Sequence, residues 1–364
     1  MQQEQIINAA VELLEAIHLE ARPANEVING YVRSRRYIGS KDRRALGDLV
    51  WSVLRHRARL DYLCPEATWR DKLEILSAGL PDVSDAPDWV KWEVPEWLVA
   101  HIDSPERELP PLLDSASVVL RANGNRDEVK KRLEAEGLES TLTVHSPFGL
   151  VLGKRGNLNQ LACYRDGLVE VQDEGSQCVA LETGISPGQA VLDYCAGAGG
   201  KALIFAQMMQ NEGGILAHDI SSRSLAELEK RARRAGVSII ETTTDVRGWL
   251  TYHPGQEFDH VVVDAPCSGT GTWRRCPDMR WKLTPEILAA LLAKQAMILD
   301  TCIGFVKTGG LLSYITCSLL KDENGDQVEA FLRRYPSFSL VRQKQYSPAM
   351  TGTDGLFVAV LRKN

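Results

Sequence analysis

Apolar residues recur three and four positions apart through the first part of the chain. In IINAAVELLEAIHLEARPANEVINGYV, and again at Ala45, Leu46, Leu49, Val50, Val53 and Leu54, that spacing predicts amphipathic helices. Residues up to about 65 therefore read as a small all-helical unit. The stretch PDVSDAPDWVKWEVPEWL, rich in Pro, Asp and Trp, reads as a connection with short helices. Near residue 115 the pattern changes. SASVVLRANG predicts a strand ending in a turn, NRDEVKKRLEAEG a helix closed by Gly137, STLTVHSPFGLVLGKRG one or two strands, and GLVEVQDEG another. From residue 171 apolar strands alternate with helices to the end, which predicts an α/β fold: a mostly parallel sheet covered by helices on both faces. The expected division is 1–85 helical, 86–170 small α+β, and 171–364 α/β.

Length and composition agree with two or three domains, because 364 residues are too many for one small core. MQQEQIINAAVELLEA lacks a basic region followed by an unbroken apolar run, and no uncharged segment is long enough to span a bilayer. A cytoplasmic protein with no membrane partner is expected. The eight cysteines, at 64, 163, 178, 195, 267, 276, 302 and 317, form no C-x-x-C pair, so reduced thiols and no metal are expected. A net charge of −6 argues against a uniformly basic nucleic-acid binder. Locally, though, Arg33, Arg35, Arg36, Lys41, Arg43, Arg44, Arg55, Arg57 and Arg59 face only Asp42 and Asp48. That patch is either a phosphate-binding surface or a solvated helix face.

In an open α/β sheet the ligand lies beyond the carboxyl ends of the strands. The first such end carries Asp193, Cys195, Ala196, Gly197, Ala198, Gly199, Gly200 and Lys201, where small residues admit close approach to the backbone and a helix N-terminus follows. The next ends in Asp219, placed for the hydroxyls of a ribose, and the third in Asp245, placed for an adenine amino group. Each acid taken singly would more simply cap a helix. Together, in order, they favour S-adenosylmethionine over a dinucleotide, because CAGAGGK is not G-x-G-x-x-G. The fourth end, FDHVVVDAPCSGTG, brings Asp264 and Cys267, and a later strand, LLSYITCSLL, brings Cys317. A cysteine in such a place is a small core residue, a metal ligand or a reactive thiol.

The motifs DYCAGAGGK, DAPCSGTGTWRRCPDMRW and YITCSLLKDEN, with VEVQDEGSQ ahead of them and TDGLFVAVLRK at the end, resemble the RNA cytosine-5 methyltransferases of the Sun/Nop/RsmB type. The resemblance covers residues 115–364. It implies a Rossmann-like S-adenosylmethionine-dependent methyltransferase sheet with a small RRM-like subdomain, and it extends to the basic N-terminus as a shortened NusB-like RNA-binding domain. It also implies a covalent mechanism in which Cys317 adds to carbon 6 of cytosine, Cys267 assists release, and Asp264 contacts ring nitrogen 3. Cys195, Ala196, Gly197, Ala198, Gly199, Gly200, Lys201, Asp219, Asp245 and Asp264 would hold the cofactor. Ribosomal RNA, of the small (16S) subunit, is the expected substrate and a monomer the expected state; transfer RNA is the rival substrate, and a non-catalytic RNA-binding or assembly factor the rival class.

Two departures stand out. Gly197 and Ala198 replace the Ala-Pro of many relatives, and Cys276 stands where several carry His. Arg274, Arg275, Arg280 and Lys282, interleaved with Trp273 and Trp281, suit a single strand of RNA clamped at its phosphates, or a charged loop anchored by two tryptophans.

Overall fold

A computed structural model describes residues 2–153 and 158–364. Helix Gln3–Leu19 buries Ala9, Ala10, Leu13, Leu14 and Ile17, one face of its 3.6-residue period, against helix Ser40–Arg55, which buries Leu46, Val50, Val53 and Leu54 in return. Each fully buried leucine of this kind stabilises the fold by about 1.5–3 kcal/mol. The helical unit draws on two stretches of chain, the N-terminal one up to Ser115 and a second one, Thr272–Ile287. The expected boundary at 85 thus lies inside it.

The second stretch is built into the helices as core. Helix Ala24–Ser34 follows Pro23, which has no side-chain acceptor to cap it, and the Asp278 carboxylate accepts the Ala24 N–H at 2.9 Å instead. Arg280 is fully buried; it donates to the carbonyl oxygens of Glu93 (2.8 Å) and Leu112 (3.4 Å), and its guanidinium carbon lies 5.3 Å from the centroid of the Trp273 ring. Trp273 is fully buried as well. This corrects the reading of Trp273 and Arg280 as RNA contacts: neither reaches solvent, and both hold the helical unit together. The half-buried Trp281 donates its ring N–H to the Leu54 carbonyl.

The other unit, Ala116–Gly271 with Leu288–Asn364, contains two sheets. The smaller has four strands, β1 (Val119–Ala122), β2 (Ser140–Leu142), β3 (Gly149–Leu152) and β4 (Val169–Val171), all antiparallel in the order β2-β3-β1-β4. The β-α-β-β-α-β succession and this order make it RRM-like. Of the one or two strands expected over STLTVHSPFGLVLGKRG, the structure has two, ending at Leu152, and residues 154–157 lie outside the described residues. None of the four strands carries an aromatic residue, and β1 buries all four of its residues, so the sheet has no platform on which bases could stack. Buried Arg121 instead donates to Gln207 at 2.7 Å.

The larger sheet comprises β5 (Ala190–Asp193), β6 (Gly214–His218), β7 (Ile240–Thr243), β8 (Phe258–Asp264), β9 (Val306–Thr316), β10 (Phe338–Tyr346) and β11 (Leu356–Lys363), in the order β10-β11-β9-β8-β5-β6-β7. The strands β5 to β9 pair in parallel, and β11 joins β9 and β10 antiparallel. Alternate residues enter opposite cores: Val191, Val262, Val358 and Val360 one, Leu192, Val261, Val263 and Leu361 the other. Both faces are covered, which is why these strands read as near-continuous apolar runs.

Replacing Arg280 by Met should lower unfolding free energy in denaturant titration by about 2–3 kcal/mol, because two buried carbonyls lose their donor. A change within measurement error would mean that the carbonyls find other donors.

Candidate active site

The loop after β5 is shaped by its glycines. Gly197 and Gly199 have φ of 53° and 83°, in the left-handed region, and a Cβ on Gly199 would lie 2.4 Å from Leu228. Helix Gly200–Met208 starts directly behind the turn. Asp219, just past β6, accepts the N–H of Gly197 at one oxygen (2.9 Å) and that of Ser221 at the other (2.8 Å), tying the first two strand ends together. From the far side, Arg231 donates to the Ala198 carbonyl and to Glu170 of β4, which also pairs with Arg234. The small sheet thereby braces the loop.

Beside this loop lies a cavity of about 490 Å³, lined by Tyr194, Cys195, His218, Asp219, Ile220, Asp264, Ala265, Pro266, Cys267, Lys294, Met297, Ile298 and Cys317. Asp219, Asp264, Cys267, Cys317 and Cys195 therefore line one cavity. Asp245 does not join them: it is exposed at the head of helix Val246–Tyr252 and is absent from the lining. Ala196 is buried, and Gly197, Ala198, Gly199 and Gly200 form the turn and the first helical position. Sequence reading missed Tyr194, His218, Ile220, Lys294 and Met297. Ile220, 83% exposed beside Asp219, was detectable as an apolar residue placed just past a strand end.

Lys201, which the resemblance places among the cofactor-holding residues, has its ammonium 2.9 Å from Asp264. Burial alone would lower its pKa, and the Asp264 carboxylate more than reverses this, so the ammonium keeps its proton. Asp193 is fully buried with no hydrogen-bond partner for either oxygen among the described residues. Burial, reinforced by the negative charges of Asp264 and Asp219 and opposed by Lys201, pushes its pKa up to about 8.

The two thiols nearly touch. Cys267 Sγ lies 3.3 Å from Cys317 Sγ and accepts the Cys317 backbone N–H at 3.3 Å. The hydrogen bond with Cys317, then burial, then the charges of Cys317 and Glu323 hold the Cys267 thiol well above its ordinary pKa. The remaining thiols differ. Cys178 and Cys302 are core residues, the first pushed up to about 12 chiefly by burial. Cys195 is likewise raised by burial, and Cys276 sits half-buried ahead of the helical turn Pro277–Trp281.

The residues present fit S-adenosylmethionine. The cavity has the size of a nucleoside site, an acid stands where hydroxyls need an acceptor, Ile220, Met297 and Ile298 supply apolar walls, and the glycine turn brings backbone within reach.

The chain is similar to known proteins. The family model described as "16S rRNA methyltransferase RsmB/F" matches residues 180–362. The ribosomal RNA small subunit methyltransferase B of Xylella fastidiosa is 34% identical over 305 residues, 78% of this chain and 70% of its own. The protein of that name from Pseudomonas syringae pv. tomato is 34% identical over 59% of this chain and 48% of its own. The chain thus spans between about half and seven tenths of the lengths of these relatives. The crystal structure of PH0851 shares the fold, with a TM-score of 0.83 at 22% identity over 98% of both chains. A family match over half the chain, with these two strand-end thiols inside it, places the protein among the RsmB/F methyltransferases.

Proposed function

We propose that the protein methylates carbon 5 of a cytosine in small-subunit ribosomal RNA through a covalent adduct with Cys317. The observation that carries this reading is the pair of thiols 3.3 Å apart on the loops after two neighbouring parallel strands, at the wall of the cofactor cavity. Carbon 5 of cytosine is a poor nucleophile, and a thiolate adding to carbon 6 converts the ring into an enamine-like system that reacts there. S-adenosylmethionine, when bound against the glycine turn and Asp219, supplies the methyl group that carbon 5 takes.

The contact supports a division of labour. Cys267 Sγ accepts the Cys317 N–H and shares a hydrogen bond with Cys317 Sγ; in the proposed reaction Cys267 donates its S–H to that sulfur. Cys317 is then the electron-rich sulfur and Cys267 the proton holder. Addition to carbon 6 places negative charge on the N3–O2 side of the ring, which the Lys201 ammonium, or a proton passed through Asp264 to N3, would balance. Once Cys317 is a thioether, its hydrogen bond and its charge, two of the causes that hold the proton on Cys267, are gone. Cys267 releases that proton to solvent and its thiolate takes the hydrogen from carbon 5. The C5–C6 double bond re-forms, the S–C6 bond breaks, and Cys317 leaves as the thiolate. One proton is released in all, and both sulfurs return to their starting state.

RNA would be held in part by the helical unit. Arg33, Arg36, Lys41 and Arg44 are exposed, as is Tyr37 at 72%. The other cations of the patch are engaged in the unit: Arg43 with the Ile38 carbonyl, Arg55 with those of Leu113, Asp114 and Arg274, Arg57 with Asp61, Arg59 with the Pro81 carbonyl, and Arg35 over the Tyr31 ring. The phosphate surface is narrower than the sequence suggests. Within it we place the RNA contact, and the cell compartment of this chemistry is the cytoplasm.

Four measurements test the reading. Asp219→Ala should weaken S-adenosylmethionine in calorimetry about tenfold or more, the loss of hydrogen bonds to a charged acceptor; unchanged affinity would send the ribose elsewhere. With labelled cofactor, label should enter small-subunit ribosomal RNA; label in transfer RNA would change the substrate, and an RNA-linked band surviving denaturation should accumulate with Cys267→Ala and be absent with Cys317→Ala. The reverse pattern would exchange the two roles, and absence from both would remove the covalent step. Replacing Arg33, Arg36, Lys41 and Arg44 together by Gln should weaken RNA binding and reduce its logarithmic salt slope by about three. An unchanged slope would leave these four as a solvated face. Deleting residues 1–65 is a poorer test, because it would uncover Trp273 and Arg280.

A further inference from the structure

Each of the two cysteines is followed by a serine, and the serines meet behind the thiols. Ser268 Oγ and Ser318 Oγ are 3.3 Å apart, and Thr270 Oγ1 lies 3.1 Å from Ser318 Oγ. All three are buried. Beneath them sits Glu323, fully buried and with no cation paired to it among the described residues. One of its oxygens accepts the Ser268 N–H (2.8 Å) and the Gln295 side-chain N–H (2.9 Å); the other accepts the Ser268 hydroxyl. Gln295 also donates to the Pro266 carbonyl, so the carboxylate and the amide grip the residues on both sides of Cys267. On the other loop, Thr270 Oγ1 accepts the Leu319 N–H (2.8 Å), Ser318 Oγ accepts the Leu320 N–H (3.0 Å), and the Cys317 carbonyl accepts the Gly271 N–H (3.0 Å). Glu323 is reached by the Tyr314 hydroxyl too, at its backbone carbonyl (2.7 Å).

A carboxylate buried without a cation is costly unless its lone pairs are filled by donors. Here the donors come from the Cys267 loop and from Gln295, so the carboxylate is satisfied only while that loop keeps its place. The interaction is thus strongest in the geometry that brings the two sulfurs together.

We propose that Glu323 is the positioning residue of the thiol pair, fixing Cys267 against Cys317 through Ser268 and its contact with Ser318. The proposal rests on the assignment of Cys267 and Cys317 to the reaction. Glu323 touches neither thiol. Its negative charge is among the influences that keep Cys267 protonated, with the Cys317 sulfur on one side and Tyr314 the other titratable group facing it. Glu323 therefore sets both where the proton holder stands and how firmly it holds.

The test uses the full chain and phenylarsine oxide, which bridges two adjacent thiols with loss of water. The wild type should retain the arsenical across Cys267 and Cys317, read by peptide mass. Glu323→Ala should lose bridging roughly tenfold or more, the scale of a lost charged hydrogen-bond set. Glu323→Gln, which keeps one acceptor oxygen and the side-chain shape, should restore most of it. In a Cys317→Ala background, iodoacetamide labelling of Cys267 should begin at lower pH with Glu323→Gln than with Glu323 intact, a shift that a purely packing role would not produce. If Glu323→Ala does not fold, Glu323→Gln and Ser268→Ala carry the test. Arsenical bridging and labelling profiles equal to wild type in the Glu323 variants would overturn the proposal. A wild-type protein that bridges the arsenical yet forms no RNA adduct would sink the methylation mechanism instead and leave this inference standing.

Discussion

The pairing of β8 with β9 is the constraint on which the site depends. Asp264 stands opposite Ile315, and the ladder runs one step further through the Ala265 N–H and the Ile315 carbonyl at 2.8 Å. From there a single residue, Pro266 on one strand and Thr316 on the other, precedes each cysteine. A slip of one residue would move one thiol by about 3.3 Å and turn it to the other face of the sheet, destroying the contact. Register is enforced by the cores on both faces, since the same slip would exchange Val262 with Val261 and Val263 between two packed environments. Hydrophobic burial far from the chemistry thus holds two sulfurs within hydrogen-bonding distance.

Around that contact the protein keeps charge in pairs or suppresses it. Lys201 pairs with Asp264 of the cavity wall, while Asp193, with no hydrogen-bond partner among the described residues, keeps its proton near neutral pH. Were Asp193 ionised, three carboxylates would face one ammonium across the strand ends, and the glycine turn would sit in a strongly negative field. With that acid neutral, the strand ends hold two carboxylates against one ammonium.

Much of this was legible in the sequence. The strand ends, the glycine turn and both thiols follow from periodicity and from what stands just past each apolar run, because a parallel sheet places all those positions along one edge. What was not legible falls into two kinds. Asp245 and Lys201 are of the right type at the right place in the chain, yet side-chain direction decides their use: one faces solvent and the other its neighbour Asp264. Trp273 and Arg280 look like RNA ligands because aromatic and cationic residues alternate there. Both are buried, and Arg280 is held by Glu93 and Leu112, partners more than 150 residues away that no local pattern names. Glu323 was hidden likewise, because its donors Ser268 and Gln295 lie 55 and 28 residues away along the chain.

The placement of Thr272–Ile287 has a consequence for how the chain folds. The helices up to Ser115 are synthesised first, but the cap on helix Ala24–Ser34, the fully buried Trp273 and the guanidinium that satisfies the Glu93 and Leu112 carbonyls all come from residues that emerge far later. Until then those carbonyls and the Ala24 N–H have only water, and the pocket that will receive Trp273 is open. Contacts of such long sequence separation form slowly, since the intervening chain must close first. The helical unit is therefore completed only after β8 and its cysteine loop have been made, and the segment leaving Gly271 serves as its last core element. An N-terminal fragment would lack these groups, so the helices are a dependent part of the enzyme rather than a detachable RNA-binding module.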